Sequence, residues 1–158
     1  MVAISILTVG FLGIVGLLSR ALALNRVVAA NYTATYLAAE GIEITKNIVD
    51  GNIVQGQPWN AGGGVSSCGG SIEFGIDGCE ADLDSLTLQP YSGQPLDFDS
   101  TSRIYDYGGG EIATSFRRRI VISLLGQNEI KVESQVAWIS RGGGTSKVTL
   151  EDHFFNWR

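Results

Sequence analysis

The chain predicts an α+β fold: one long N-terminal helix, apolar at first and amphipathic after, packed on a C-terminal antiparallel sheet. Three observations carry it. Residues 1–19 (MVAISILTVGFLGIVGLLS) hold no charged side chain, the first being Arg20. From Arg20 to Asp50 there is no proline and a single glycine, Gly41, while apolar residues recur at helical spacing. The last third of the chain alternates apolar and polar residues with period two, between short glycine-containing gaps.

At about 1.5 Å per residue, a helix over the charge-free run spans roughly 28 Å, about one bilayer core. A cleavable signal peptide fits this run poorly. No basic residues precede it, no A-x-A site followed by a break in helical character closes it, and the helical pattern continues past Arg20. In the amphipathic part, Leu24, Val28, Ala38, Ala39, Ile42 and Val49 project onto one stripe, and Ala30, Leu37, Ile44 and Ile48 onto a second. Glu40, Glu43, Asn47 and Asp50 occupy a wedge between them. Two stripes predict a helix that packs its own head on one side and something else on the other. Asp50-Gly51 supplies a stop signal. The expected element is one helix from residue 2 to about residue 50, roughly 75 Å long, far above the globular mean.

The middle of the chain is loop-like. Cys68 and Cys79 stand alone as a pair in a glycine- and serine-rich stretch (GGGVSSCGGSIEFGIDGC). Zinc would need two further ligands, and the only histidine is His153. A local disulfide is the expected state and a pair of buried thiols the alternative; an unstrained bridge over so short a loop contributes about 2–3 kcal/mol. The triplets Gly62–Gly64, Gly108–Gly110 and Gly142–Gly144 lack phosphate-loop context and read as loops. Asp82, Asp84, Asp97, Asp99 and Asp106 have only Arg103 opposing them. They offer calcium-type oxygen ligands but no DxDxDG spacing, so they read as a solvated acidic face.

Three strands are expected in the C-terminal third: Thr114–Leu125, Glu129–Ser140 and Ser146–Phe154. In the second, Ile130, Val132, Val136 and Trp138 alternate with Lys131, Glu133 and Gln135. In the first, Ile120, Ile122 and Leu124 make an apolar face, with Arg117 and Arg119 extending it as partly solvated positions. This face is expected to cover a stripe of the helix. Phe154, Phe155 and Trp157 read as core or subunit contacts.

Composition narrows the function. About 105 residues follow residue 51, enough for one modest core. A net charge of −5 argues against nucleic-acid binding through a basic field, and Arg117-Arg118-Arg119 alternates across a strand rather than forming one patch. Ion partners on neighbouring subunits or on Glu133 are the expected role for those arginines. His153 beside Glu151 and Asp152 lacks a nucleophile or second histidine, so no catalytic constellation, cofactor site or metal site is assigned.

These residues together resemble type IV pilins. A charge-free helix opening with VAISILTVG, an amphipathic continuation through YLAAEGIEITKNI, a cysteine-bearing loop region and a closing VTLEDHFFNWR are similar to minor pilins of the PilV type. The resemblance is strongest over residues 1–50 and 112–158. It implies a transmembrane or filament-core segment over residues 1–23 and a globular head over 24–158. The head then comprises an amphipathic helix (24–50), a variable region (52–111) and the sheet (112–158). It further implies a single-pass inner-membrane protein with an exterior head, later a cell-surface filament subunit. Its partners would be membrane lipid before assembly and other pilins afterwards, with Gly10, Gly13 and Gly16 permitting close helix approach. Arg20 and Arg26 flank the apolar run on the head side, which by itself favours a cytoplasmic head; the cysteines favour the exterior. The family's processing signal places a glutamate at the fifth mature position. Aligned on Val2-Ala3-Ile4, it falls upstream of Met1, and no acidic residue precedes Glu40, so cleavage and N-methylation are assigned to no residue here. The alternative reading is a membrane-anchored exterior binding module, an adhesin or DNA-uptake receptor, that never polymerises.

Overall fold

The computed structural model describes residues 2–60, 78–83, 87–140 and 142–157. It contains one helix, α1 (Val2–Val54). Five two-residue strands follow: β1 (Cys79–Glu80), β2 (Gln89–Pro90), β3 (Asp97–Phe98), β4 (Tyr105–Asp106) and β5 (Ile112–Ala113). Three long strands end the chain: β6 (Arg117–Leu124), β7 (Glu129–Ile139) and β8 (Thr145–Phe155). The fold is α+β and matches the pilin-like architecture expected from the sequence, a long N-terminal helix with antiparallel sheets after it. The chain divides into two compact units, residues 1–33 and 34–158.

In the second unit, β1, β2, β6, β7 and β8 form an antiparallel sheet in the order β2-β1-β6-β7-β8, and a smaller sheet runs β4-β3-β5. The three expected strands appear within a few residues of their expected ends. Even-numbered residues of β6 and β7 face the helix: Ile120, Ile122, Ile130 and Val132 form one core cluster with Ile44, Val49 and Ile53. Trp59, Cys79, Ala81 and Leu88 complete it from outside the three long strands. An aromatic run, Phe98–Tyr105–Phe116–Trp138, has centroid spacings of 4.9, 6.3 and 5.9 Å and ties the small sheet to β7.

Three expectations are corrected. The helical residues buried in this unit are Ala34, Leu37, Ala38, Gly41, Ile44, Thr45, Val49 and Ile53. They make one broad face, not two stripes. Leu37 and Ile44 form one edge, Ala38 and Val49 the other, and the small residues Ala34, Gly41 and Thr45 fill the centre. Small side chains carry little weight in a hydrophobicity projection but let a helix lie close to a sheet; a Cβ on Gly41 would collide with the Ser134 hydroxyl and press on Arg118 Cδ.

The helix also does not stop at Gly51. It runs one turn further, which brings Ile53 into the core cluster four residues after Val49. The stop is Gly56, at φ +71°, with Gly56 N–H donating to Ile53 O at 3.2 Å and Gln57 N–H to Asn52 O at 2.9 Å. That pair of bonds is the Schellman arrangement, with glycine in the left-handed position.

The third correction concerns the arginines. Strand parity puts Arg118, not Arg117 or Arg119, on the helix-facing side. Arg117 Nε donates to Gly93 O at 2.9 Å and Arg119 Nη2 to Gln135 Oε1 at 3.1 Å, both on the opposite face. That face is not simply solvated: Val121, Arg119, Glu133 and Gln135 are buried there as well.

Candidate functional site

Residues 2–33 of α1 are the most distinctive surface of the chain. The segment is long and apolar enough to cross a membrane, and its most apolar window is 0 % buried. Phe11 and Leu12 are 63 % and 69 % exposed, and Val2, Ile4, Leu7, Ile14, Leu17 and Leu24 are similarly bare. Contiguous apolar surface of this extent marks a membrane or protein contact. Three of its polar side chains bond back to their own helix. Thr8 Oγ1 donates to Ser5 O at 2.9 Å, Ser19 Oγ to Val15 O at 3.0 Å, and Asn31 Nδ2 to Val27 O at 2.8 Å. A hydroxyl bonded back to its own helix loses much less on entering an apolar medium than an open one. Gly10, Gly13 and Gly16 lie on this segment, and nothing within 4 Å would meet a Cβ at any of them.

In the head, the helix is pinned to the sheet by a buried arginine that sequence reasoning passed over as part of an alternating run. The Arg118 side chain is 0 % exposed; its Nη1 lies 2.8 Å from Glu40 Oε1, whose side chain is 26 % exposed. Nη1 also donates to Leu37 O at 3.4 Å, and Nη2 to Ala81 O at 2.5 Å. The Arg118 carbonyl accepts from the Tyr107 hydroxyl at 2.9 Å, and burial holds that phenol well above its ordinary pKa. Arg118 Nε and Ser134 Oγ have no hydrogen-bond partner among the described residues. The signal for this pair was present in the sequence: Glu40 sits at the margin of the helix's inward face, and Arg118 has the parity of Ile120 and Ile122.

The acidic residues divide. Asp84 lies outside the described residues. Asp82, Asp99 and Asp106 line one cavity of about 250 Å³ with Ser102, whereas Asp97 does not line it. Each lining carboxylate has a structural task. Asp99 accepts from Thr101 N–H at 2.7 Å and Ser102 Oγ at 2.8 Å, which lowers its pKa and builds the turn that holds Arg103 at φ +61°. Asp82 and Asp106 both accept the Tyr107 N–H, at 3.1 and 2.7 Å. Burial, and then the hydrogen bond with Asp106, push the Asp82 carboxyl up to about 6. Among the described residues, no group of three or more His, Cys, Asp or Glu side chains is placed to hold a metal ion.

His153 lies between Glu129 (Nδ1 to Oε1, 2.7 Å) and Glu151 (Nε2 to Oε1, 3.2 Å), and the bond to Glu129, then that to Glu151, raises its pKa. The ring joins two carboxylates on one sheet face. Phe154 packs against the core, while Phe155 and Trp157 are exposed, so only the first of the three closing aromatics is a core contact. Cys79 is buried in β1 at 1 % exposure; Cys68 and the Gly62–Gly64 triplet lie outside the described residues.

No protein-family model, curated protein or solved structure matches the chain.

Proposed function

We propose that this chain is a structural subunit of a type IV pilus or related filament, a minor pilin, held in the inner membrane by its apolar helix before assembly. The observation that carries the reading is α1 itself. One uninterrupted helix joins a charge-free, fully exposed apolar segment to a segment whose single inward face packs on an antiparallel sheet. A plain membrane anchor needs no such continuity, because a linker would serve it equally well. In the filament, the apolar segment packs against the same segment of other pilins, with Gly10, Gly13 and Gly16 allowing close approach. The head faces the exterior, and Cys68 and Cys79 form a disulfide there.

The test is Gly13→Leu, which keeps the segment apolar but adds bulk where the surroundings are open. Sheared surface filaments and membrane fractions are blotted for the chain. We expect normal membrane levels and a strong loss from filaments. Incorporation equal to the parent would remove glycine-mediated packing from the reading. The runner-up, a non-polymerising exterior binding module, draws on the carboxylate-lined cavity in the head. Co-purification of a chain lacking residues 1–23 with filaments would favour it.

A further inference from the structure

The two edges of the five-stranded sheet are built differently. One edge is β2, two residues long and ending in Pro90, which blunts pairing. The other is β8, eleven residues with no proline, and among the described residues no strand pairs with its outer side. Asn156 N–H donates to Asn128 O at 2.9 Å and Ser140 N–H to Gly144 O at 2.8 Å, one at each end of the β7–β8 ladder. These bonds set the alternation between them: even-numbered residues of β8 bond to β7, and the backbone groups of Thr145, Lys147, Thr149, Glu151 and His153 turn the other way.

We propose that this edge pairs antiparallel with β8 of a second copy of the chain, about a two-fold axis at Thr149. The axis must stand perpendicular to the sheet, so residues of equal parity face each other, and only outward-turned residues can exchange hydrogen bonds. Of the registers that satisfy both conditions, the one centred on Thr149 sets Lys147 of each copy opposite Glu151 of the other. Charge favours that register. Within one chain Glu151 already lies opposite Glu133, with Lys131 Nζ bridging the two acids at 3.6 and 3.3 Å. A second lysine on the open flank of Glu151 relieves this like-charge column. On the helix-facing side, half-buried Val148 and Leu150 of the two copies meet and cover each other. Pairing ends at His153, whose N–H is taken by Asp152 Oδ1 at 2.8 Å. This inference concerns the head alone and does not rest on the filament reading.

The test uses the full chain in detergent micelles under mild oxidation. Thr149→Cys puts two thiols across the axis, with Cα atoms about 5.5 Å apart, within disulfide range. Thr145→Cys is the control, because its twin lies eight residues away along the opposing strand, about 27 Å. We expect a covalent dimer from Thr149→Cys, absent from the parent and from Thr145→Cys. Adding Lys147→Glu to Thr149→Cys should cut the yield about tenfold, since two attractive pairs become repulsive. Adding Glu151→Lys as well should restore it, which also shows that the strand still folds. No dimer, equal linking of the two cysteine variants, or no rescue by the double charge swap would overturn the proposal.

Discussion

Residues 2–33 and 34–54 belong to one helix but meet water in opposite ways. The first stretch exposes Phe11, Leu12 and their neighbours all round, whereas the second hides Ala34, Leu37, Ala38, Ile44 and Val49 against the sheet. Both contain helix-compatible residues throughout, so local propensity does not separate them. The separation lies in where the apolar area goes. The second stretch finds its cover within the chain. The first has none among the described residues and requires a lipid or protein environment from outside.

The largest effect should come from removing one side of that contrast. Deleting residues 1–23 should abolish membrane retention entirely and leave a folded head, because the first buried helical residue is Ala34. Membrane fractionation and circular dichroism of the truncated chain check both halves of the statement. An unfolded head would mean that the second stretch is not self-sufficient.

Next is the pin between helix and sheet. Glu40→Ala leaves the Arg118 guanidinium buried without its counter-charge. Removing one partner of a buried pair costs about 3–5 kcal/mol, and the lower end applies here because Glu40 is partly open to water. Denaturant melts of the truncated head should show the loss, and a cost below about 1 kcal/mol would make the pair incidental.

A sharper comparison uses the same substitution in both stretches. Gly41→Ala drives a methyl into Ser134 and should destabilise by about 1–3 kcal/mol, less the helix-propensity gain of about 1 kcal/mol. Gly13→Ala meets nothing and should leave membrane insertion unchanged while gaining only the propensity term. Melts of the head for the first, and fractionation with circular dichroism of the full chain in detergent for the second, read the difference. Equal behaviour would erase the distinction.

The smallest effect concerns Asp82. Its carboxyl is raised from 3.8 to about 6, so its share of stability is present below its ordinary value and is lost as pH rises through about 6. Asp82→Asn should flatten that slope, by less than about 1 kcal/mol because the group is mostly solvent-screened. Melting temperatures of parent and variant across this window test the sign. A parent that gains stability over the same range through this residue would contradict it.

Much of the head was legible, and the failures share a cause. Period-two alternation located β6, β7 and β8 because each lays an apolar row on one side. The two-residue strands β1 to β5 leave no periodic trace; they are held by pairings such as Cys79 with Ile120 and Asp97 with Ala113, which no local pattern encodes. The acidic residues were visible as a cluster, but their tasks were not. Asp99 caps its own turn, while Asp82 and Asp106 meet at Tyr107 N–H although Asp82 is distant from both in sequence.

By itself the sequence determined that a long helix opens the chain, that its first stretch is apolar and uncharged, and that an antiparallel sheet closes it. These follow from periodicity and composition, which are properties of neighbours along the chain. Only the tertiary structure decided that the two apolar stripes are edges of one face, that the helix runs to Val54 and is capped by Gly56 and not Gly51, and that Arg118 is the inward arginine bound to Glu40. Each of those depends on what lies across the helix–sheet interface: the room left by Gly41, the core position waiting for Ile53, and the carboxylate 2.8 Å from a buried guanidinium. Contacts between residues far apart in sequence set them, and a one-dimensional pattern carries no record of such contacts.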